Sequence, residues 1–350
     1  MRYAFFIFML AFAIVLIPFH SAAAQGASEG LLLFANNVLP SLFPFFVCAH
    51  FITLSGMISA GGKRSSSGYM LYWLITGICG TPSASLICES IYSSGVLSIN
   101  RASVLCAILN QTGPVFIIST LSVGFLGNAG YALPFAISHY IPAAMLSALF
   151  IIINKSHKNR EPFCQAPKLK KKPNPNMLKL FSESISDAVI SVLRVGGTIV
   201  FFRVAYCVLS SLLAPLHISS DVFNTASGLF EMTNALQLIT ALPSRLNLSL
   251  CAFLLSFGGF CIFVQSKILF PSLSAMPYLA SKLITGVFSG LTMWLIYPLF
   301  DFSAPTFSMY GTQLTETPSL QIRFAGIICG IIAVFLTLLN SLLISRLIRR

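Results

Sequence analysis

Leu109–Thr120 reads LNQTGPVFIIST, with Asn110, Gln111, Thr112, Gly113 and Pro114 set between the apolar runs Ala102–Leu109 and Val115–Val123. A buried helix avoids Gly and Pro, because Pro removes a backbone hydrogen bond and clashes with the preceding turn. The stretch is therefore either a loop between two short elements or a helix broken on purpose. The surroundings decide which.

Of the 350 residues, 56% are hydrophobic and only 9% are charged, against about 25% charged in soluble domains. So little charge cannot cover a soluble surface. The chain reads as an all-α polytopic membrane protein.

Its net charge of +12 is unevenly spread. Lys155, Lys158, Arg160, Lys168, Lys170, Lys171, Lys172 and Lys179 crowd one hydrophilic segment, and Arg346, Arg349 and Arg350 end the sequence. Clusters beside apolar spans mark cytoplasmic loops, and the Pro-containing Lys155–Lys179 segment suits contact with anionic lipid. No folded module accompanies the charges, so nucleic acid is not the expected partner. The nine cysteines include no C-x-x-C pair, and no clustered metal ligands or cofactor motif appears. With no H-E-x-x-H, G-x-S-x-G or P-loop, an enzyme is not expected.

Apolar runs of about 20 residues, enough to cross a bilayer core, fall near 3–23, 31–55, 102–123, 131–153, 184–213, 247–270, 278–300 and 324–346. The first has the arginine, apolar stretch and Ala-rich end of a signal peptide, but is read as a retained helix. Two further stretches, 69–96 and 225–242, are interrupted or too short to cross and carry polar residues. Non-helical backbone at membrane depth survives only when buried or lining a wet cavity, so both read as re-entrant hairpins.

With the N-terminus inside, Lys63, Arg64, Arg101 and the 154–180 loop fall in the cytoplasm. Lys267 and Lys282 then flank an inner loop, Asp301 and Glu316 lie outside, and the C-terminal arginines are inside. The order span, hairpin, broken span, span occurs twice, in 31–153 and in 184–300, entering from opposite sides. About eight spans and two hairpins thus form an inverted repeat, whose binding site is expected at the midplane breaks. Residues 1–30 precede the first repeat, 154–183 link the two, 301–323 form an external loop, and 324–350 add a last helix with a basic tail. Both termini are expected in the cytoplasm.

The breaks are GTPSAS (80–85), NQTGP (110–114), FEMTN (230–234) and SFGGF (256–260). They supply the candidate substrate-binding residues Thr81, Pro82, Ser83, Asn110, Gln111, Thr112, Gly113, Glu231, Thr233, Asn234, Gly258 and Gly259. Free N–H groups at a half-helix N-terminus suit an anionic or polar ligand. Glu231, ionisable at membrane depth, either couples transport to a proton or cation or pairs with Arg203 or Arg194. Arg203 in turn faces substrate or Glu231. Glu89 marks the watery end of the first hairpin, and His50 and His139 read as packing or hydrogen-bonding residues.

The motifs GTPSASLICESIYSSGVLS and LNQTGPVFIISTLSVGFLGN resemble the YlbJ-type sporulation integral membrane proteins, within the nucleoside-recognition or Gate-domain group. The matching positions are Gly80, Pro82, Ser83, Gly95, Leu97, Asn110, Gly113, Pro114, Gly124, Gly127 and Asn128. GLFEMTNAL (Glu231, Thr233) and LSFGGFCIFVQS (Ser256, Gly258, Gly259, Gln265) are similar to the family's second-half segments. The resemblance implies a secondary transporter that carries dipicolinic acid across the outer forespore membrane. It adds Gln265 to the candidate site. A carrier of nucleosides or of another small organic anion, and a non-transporting sporulation scaffold, are the alternatives; a homo-oligomer is left open.

Overall fold

The computed structural model describes residues 2–55, 76–77, 80–81, 83–93, 95, 97–156, 176–216, 220–239 and 243–300. The residues read as the tip of the first hairpin, most of the basic loop, the external loop and the last span lie outside them, as does Pro82. The elements among the described residues are all helical, with no strand.

The chain opens with α1 (Arg2–Leu16) and α2 (His20–Leu33), and the axis bends by 103° between them. The helical run from residue 20 passes through a π-helical turn, Phe34–Val38, into α3 (Leu39–Leu54). The helix that starts at residue 20 therefore runs on past residue 30, and the single N-terminal span expected from the sequence is instead a sharply bent pair.

Four further segments are long and apolar enough to cross a bilayer: Ala129–Phe150, Met177–Leu213, Arg245–Leu269 and Ala275–Leu299. Between α3 and the first of them lie α4 (Ser83–Ser93), α5 (Ile99–Leu109) and a π-helix, Phe116–Phe125. α6 (Ala132–Ser156) and α7 (Met177–Leu213) follow, then the short pair α8 (Ser220–Ser227) and α9 (Met232–Ile239). The chain continues through α10 (Arg245–Phe257), α11 (Gly259–Leu269) and α12 (Ala275–Ile296). Thus Asn110–Gly113 does interrupt a helix, and the 225–242 stretch holds the last turn of α8 and the whole of α9, joined through 228–231.

Small residues let α2 lie against α7. A Cβ on Gly26 would sit 2.9 Å from Arg203 O, and one on Gly30 2.9 Å from Val200 Cα. Where lipid replaces water, such close approach rather than the hydrophobic effect holds helices together. The Arg203 guanidinium then closes on Glu29 through Nε at 2.8 Å and Nη2 at 2.6 Å. Gly30→Leu should push α2 off α7, break this pair and lower the melting temperature of the purified protein by several degrees. An unchanged melting curve would show that α2 does not depend on the contact.

Candidate functional site

Each half brings its own two breaks into contact. In the first half Gly80 adopts φ +70°, which only glycine takes without strain. A Cβ there would lie 2.8 Å from Gly113 N, so the first break touches the second through bare backbone. Ser83 starts α4 and turns its hydroxyl back onto Gly80 O at 2.5 Å. In the second half Gly258 and Gly259 take φ +81° and +76°, separating α10 from α11. The first amides of α11 then donate across to the third break: Phe260 N to Leu229 O at 2.8 Å and Cys261 N to Phe230 O at 2.7 Å.

The second break satisfies its polar groups one by one, as backbone at this depth requires. Asn110 N donates to Cys106 O at 2.9 Å, and Gln111 N to Leu109 O at 2.8 Å. The Gln111 side-chain amide donates to Ile108 O. Thr112 N donates to His139 Nε2 at 3.0 Å, which leaves the ring proton on Nδ1 to donate to Ser256 Oγ at 2.6 Å. Thr112 Oγ1 donates to Leu255 O at 3.1 Å, and Thr112 O accepts from the Tyr140 hydroxyl at 2.9 Å. The break of the first half is thereby bolted to the end of α10 in the second.

On its other side the second break opens onto a cavity of about 70 Å³. Thr81, Thr112, Gly113, Glu231, Thr233 and Gln265 line it, with Val38, Phe45, Phe116 and Ile262 among its apolar walls. Around it stand the start of the π-helix (Val115, Phe116), the start of α9 (Met232, Thr233) and Thr81, two residues before α4. Three half-helices therefore bring the positive dipole ends of their N-termini towards one small space.

Glu231 immediately precedes α9 and caps it. Its Oε1 accepts from Thr233 N at 3.1 Å and from Thr233 Oγ1 at 2.9 Å. Oε2 is buried and accepts no hydrogen bond from the described residues. One carboxylate oxygen caps α9; the other has no donor among the described residues, in a residue that lines the cavity. Among the described residues no arginine completes an ion pair with it, and Arg203 is paired with Glu29 of α2.

Among known proteins the chain has an integral membrane relative. The chain is 22% identical to the sporulation integral membrane protein YlbJ of Bacillus subtilis (strain 168), over 85% of this chain and 82% of that one. The chain is thus similar, along most of its length, to a YlbJ-type sporulation integral membrane protein. No family model and no solved structure matches it.

The chain gathers some of its motif residues at the cavity and turns others away. Thr81, Thr112, Gly113, Glu231, Thr233 and Gln265 come together there. Asn110 points behind the break, where its side-chain amide donates to Ser266 Oγ at 2.7 Å and Tyr278 OH at 2.8 Å. Gln111 is spent on its own helix end, and Ser83 on Gly80. Gly258 and Gly259 shape the backbone of the fourth break. The Asn234 side chain lies outside the described residues. The pairing of Glu231 with Arg203 gives way to Glu29–Arg203, because α2 reaches the guanidinium first.

One charged residue is placed differently from its reading in the sequence. Lys267 does stay at the surface, but Lys282 is 1% exposed, two turns into α12, and donates to Asn110 O at 2.8 Å. A lysine two turns inside an apolar helix is itself the signal; the nearby turn at 270–274 obscured it.

Proposed function

We propose that this chain is a secondary transporter that moves dipicolinic acid into the forespore across the outer forespore membrane during sporulation. The observation that carries the proposal is the meeting of three half-helix N-termini at one cavity. Dipicolinate is a flat pyridine with two carboxylates, and each helix N-terminus stabilises negative charge by about 0.3–1 kcal/mol. The name of the Bacillus subtilis relative supports the sporulation setting.

Glu231 sets the condition for such a substrate. A dicarboxylate and the Glu231 carboxylate cannot share a small, poorly hydrated space while both are fully charged. A proton or a cation accompanies the substrate, and Glu231 is where it rides.

Alternating access follows from the two repeats, 31–153 and 184–300, related in inverted order within about eight spans. The matched contacts of Gly80 with Gly113, and of Gly259 with Phe230 O, support that relation. Both termini and the lipid-contacting basic loop lie in the cytoplasm in this scheme. A membrane-impermeant thiol reagent should then label cysteines introduced in 301–323 from outside and miss those in 154–183.

A second reading has its own support: the lining hydroxyls, Gln265 and one carboxylate suit the hydroxyl and amide groups of a nucleoside. Vesicles containing the purified protein decide between them. Uptake of labelled dipicolinate is expected; uptake of nucleoside alone favours the second reading, and uptake of neither favours a scaffold.

A further inference from the structure

The polar cluster behind the second break contains a charge that the cavity does not use. Lys282 rises from α12 and places its ammonium 2.8 Å from Asn110 O, the first carbonyl beyond α5. Three carbonyls before it have donors from the chain itself: Cys106 O takes Asn110 N, Ile108 O takes the Gln111 side chain and Leu109 O takes Gln111 N. Asn110 O lies at the negative end of a half-helix, buried, and takes its donor from α12. In carriers built from broken helices, such ends and unwound carbonyls are what hold a coupling cation.

No counter-ion explains the lysine. Among the described residues no carboxylate comes within ion-pair distance of it. The titratable groups nearest it are Cys106 on α5, His139 on α6 and Tyr278 on α12 itself. His139 spends both ring nitrogens on Thr112 and Ser256. Tyr278 is tied to Asn110 and Ser266. What the Lys282 Nζ meets is a carbonyl dipole and, among the described residues, no carboxylate, which is the setting that suits a bound alkali ion. A second observation points the same way: Asn110 Oδ1 and Gln111 Oε1 are buried and accept no hydrogen bond, so the break carries more acceptors than donors.

We propose that the Lys282 ammonium is a built-in cation, occupying at the second break the place where a carrier of this kind would bind a coupling monovalent cation. The break is therefore held in its unwound form without sodium. Removing the ammonium uncovers a set of acceptors that a small monovalent cation can fill. The word coupling rests on the transport reading; the cation site does not.

Thermal unfolding of the full chain, purified in detergent, tests the site without any transport. Wild type should melt at one temperature in choline, sodium and methylammonium chloride of equal ionic strength. Lys282→Ala should melt lower in choline and recover several degrees, saturably, in sodium or methylammonium. Lys282→Met, which fills the space with an apolar chain, should melt low and ignore all three salts. Lys282→Ala that melts like wild type in choline, or that responds to neither cation, overturns the proposal. If Lys282→Ala yields no folded protein, wild type decides: saturable stabilisation by sodium reveals a separate sodium site and overturns the proposal, whereas indifference to sodium supports it. Absence of dipicolinate uptake by vesicles would count against the transport reading alone and leave these melting results intact.

Discussion

Gly80→Val should abolish uptake and leave little folded protein in the membrane. Gly80 holds φ +70°, where a side chain costs about 1–2 kcal/mol. A Cβ there would also meet Gly113 N at 2.8 Å and Gly113 Cα at 3.0 Å. Those atoms are backbone and cannot rotate aside, so the first break must withdraw from the second, at a further cost of about 1–3 kcal/mol. A chain whose stability is about 5–15 kcal/mol cannot lose that much without consequence. Gly127→Ala supplies the control, because its φ of +66° is similar but nothing lies within 4 Å of its Cβ. It should show the strain without the collision. If the two variants melt together and both transport, contact between the breaks is not required.

The contrast between those glycines shows what the sequence can and cannot reveal. Gly and Pro beside small polar residues announce where a helix will break, since they act through local backbone geometry. The interruptions at 110–113, 228–231 and 258 are therefore legible in NQTGP, FEMTN and SFGGF. Which way a broken segment turns its side chains depends on elements far along the chain. Asn110 faces Ser266 and Tyr278, more than 150 positions away, while its neighbour Thr112 reaches the cavity. Arg203 is taken by Glu29 at a separation of 174 residues, and no local pattern carries that choice. Lys282 was obscured differently. Charge near a turn is ordinarily a solvated flank, and only the packing of α12 against α5 reveals an ammonium sealed from water.

Glu231 separates coupling from architecture, because its two oxygens have different partners. Glu231→Gln keeps an acceptor for Thr233 N and Thr233 Oγ1, so the cap on α9 survives and abundance should stay near wild type. What it removes is the charge on Oε2, the oxygen without a protein donor. If that oxygen carries the proton or cation that enters with the substrate, the amide should still bind dipicolinate. Binding should lose its dependence on pH and ions, and uptake against a gradient should stop. Glu231→Ala removes the cap as well, costing about 0.5–2 kcal/mol, and should lower abundance too. Because Arg203 already belongs to Glu29, losing the carboxylate orphans no arginine. Adding Arg203→Gln to Glu231→Gln should therefore worsen stability, by stranding Glu29, rather than restore anything. Rescue of abundance and transport by that double variant would show that the two charges act as a pair and that Glu231 is architecture alone. Gradient-driven uptake that persists unchanged in Glu231→Gln would move the coupling site elsewhere in the chain.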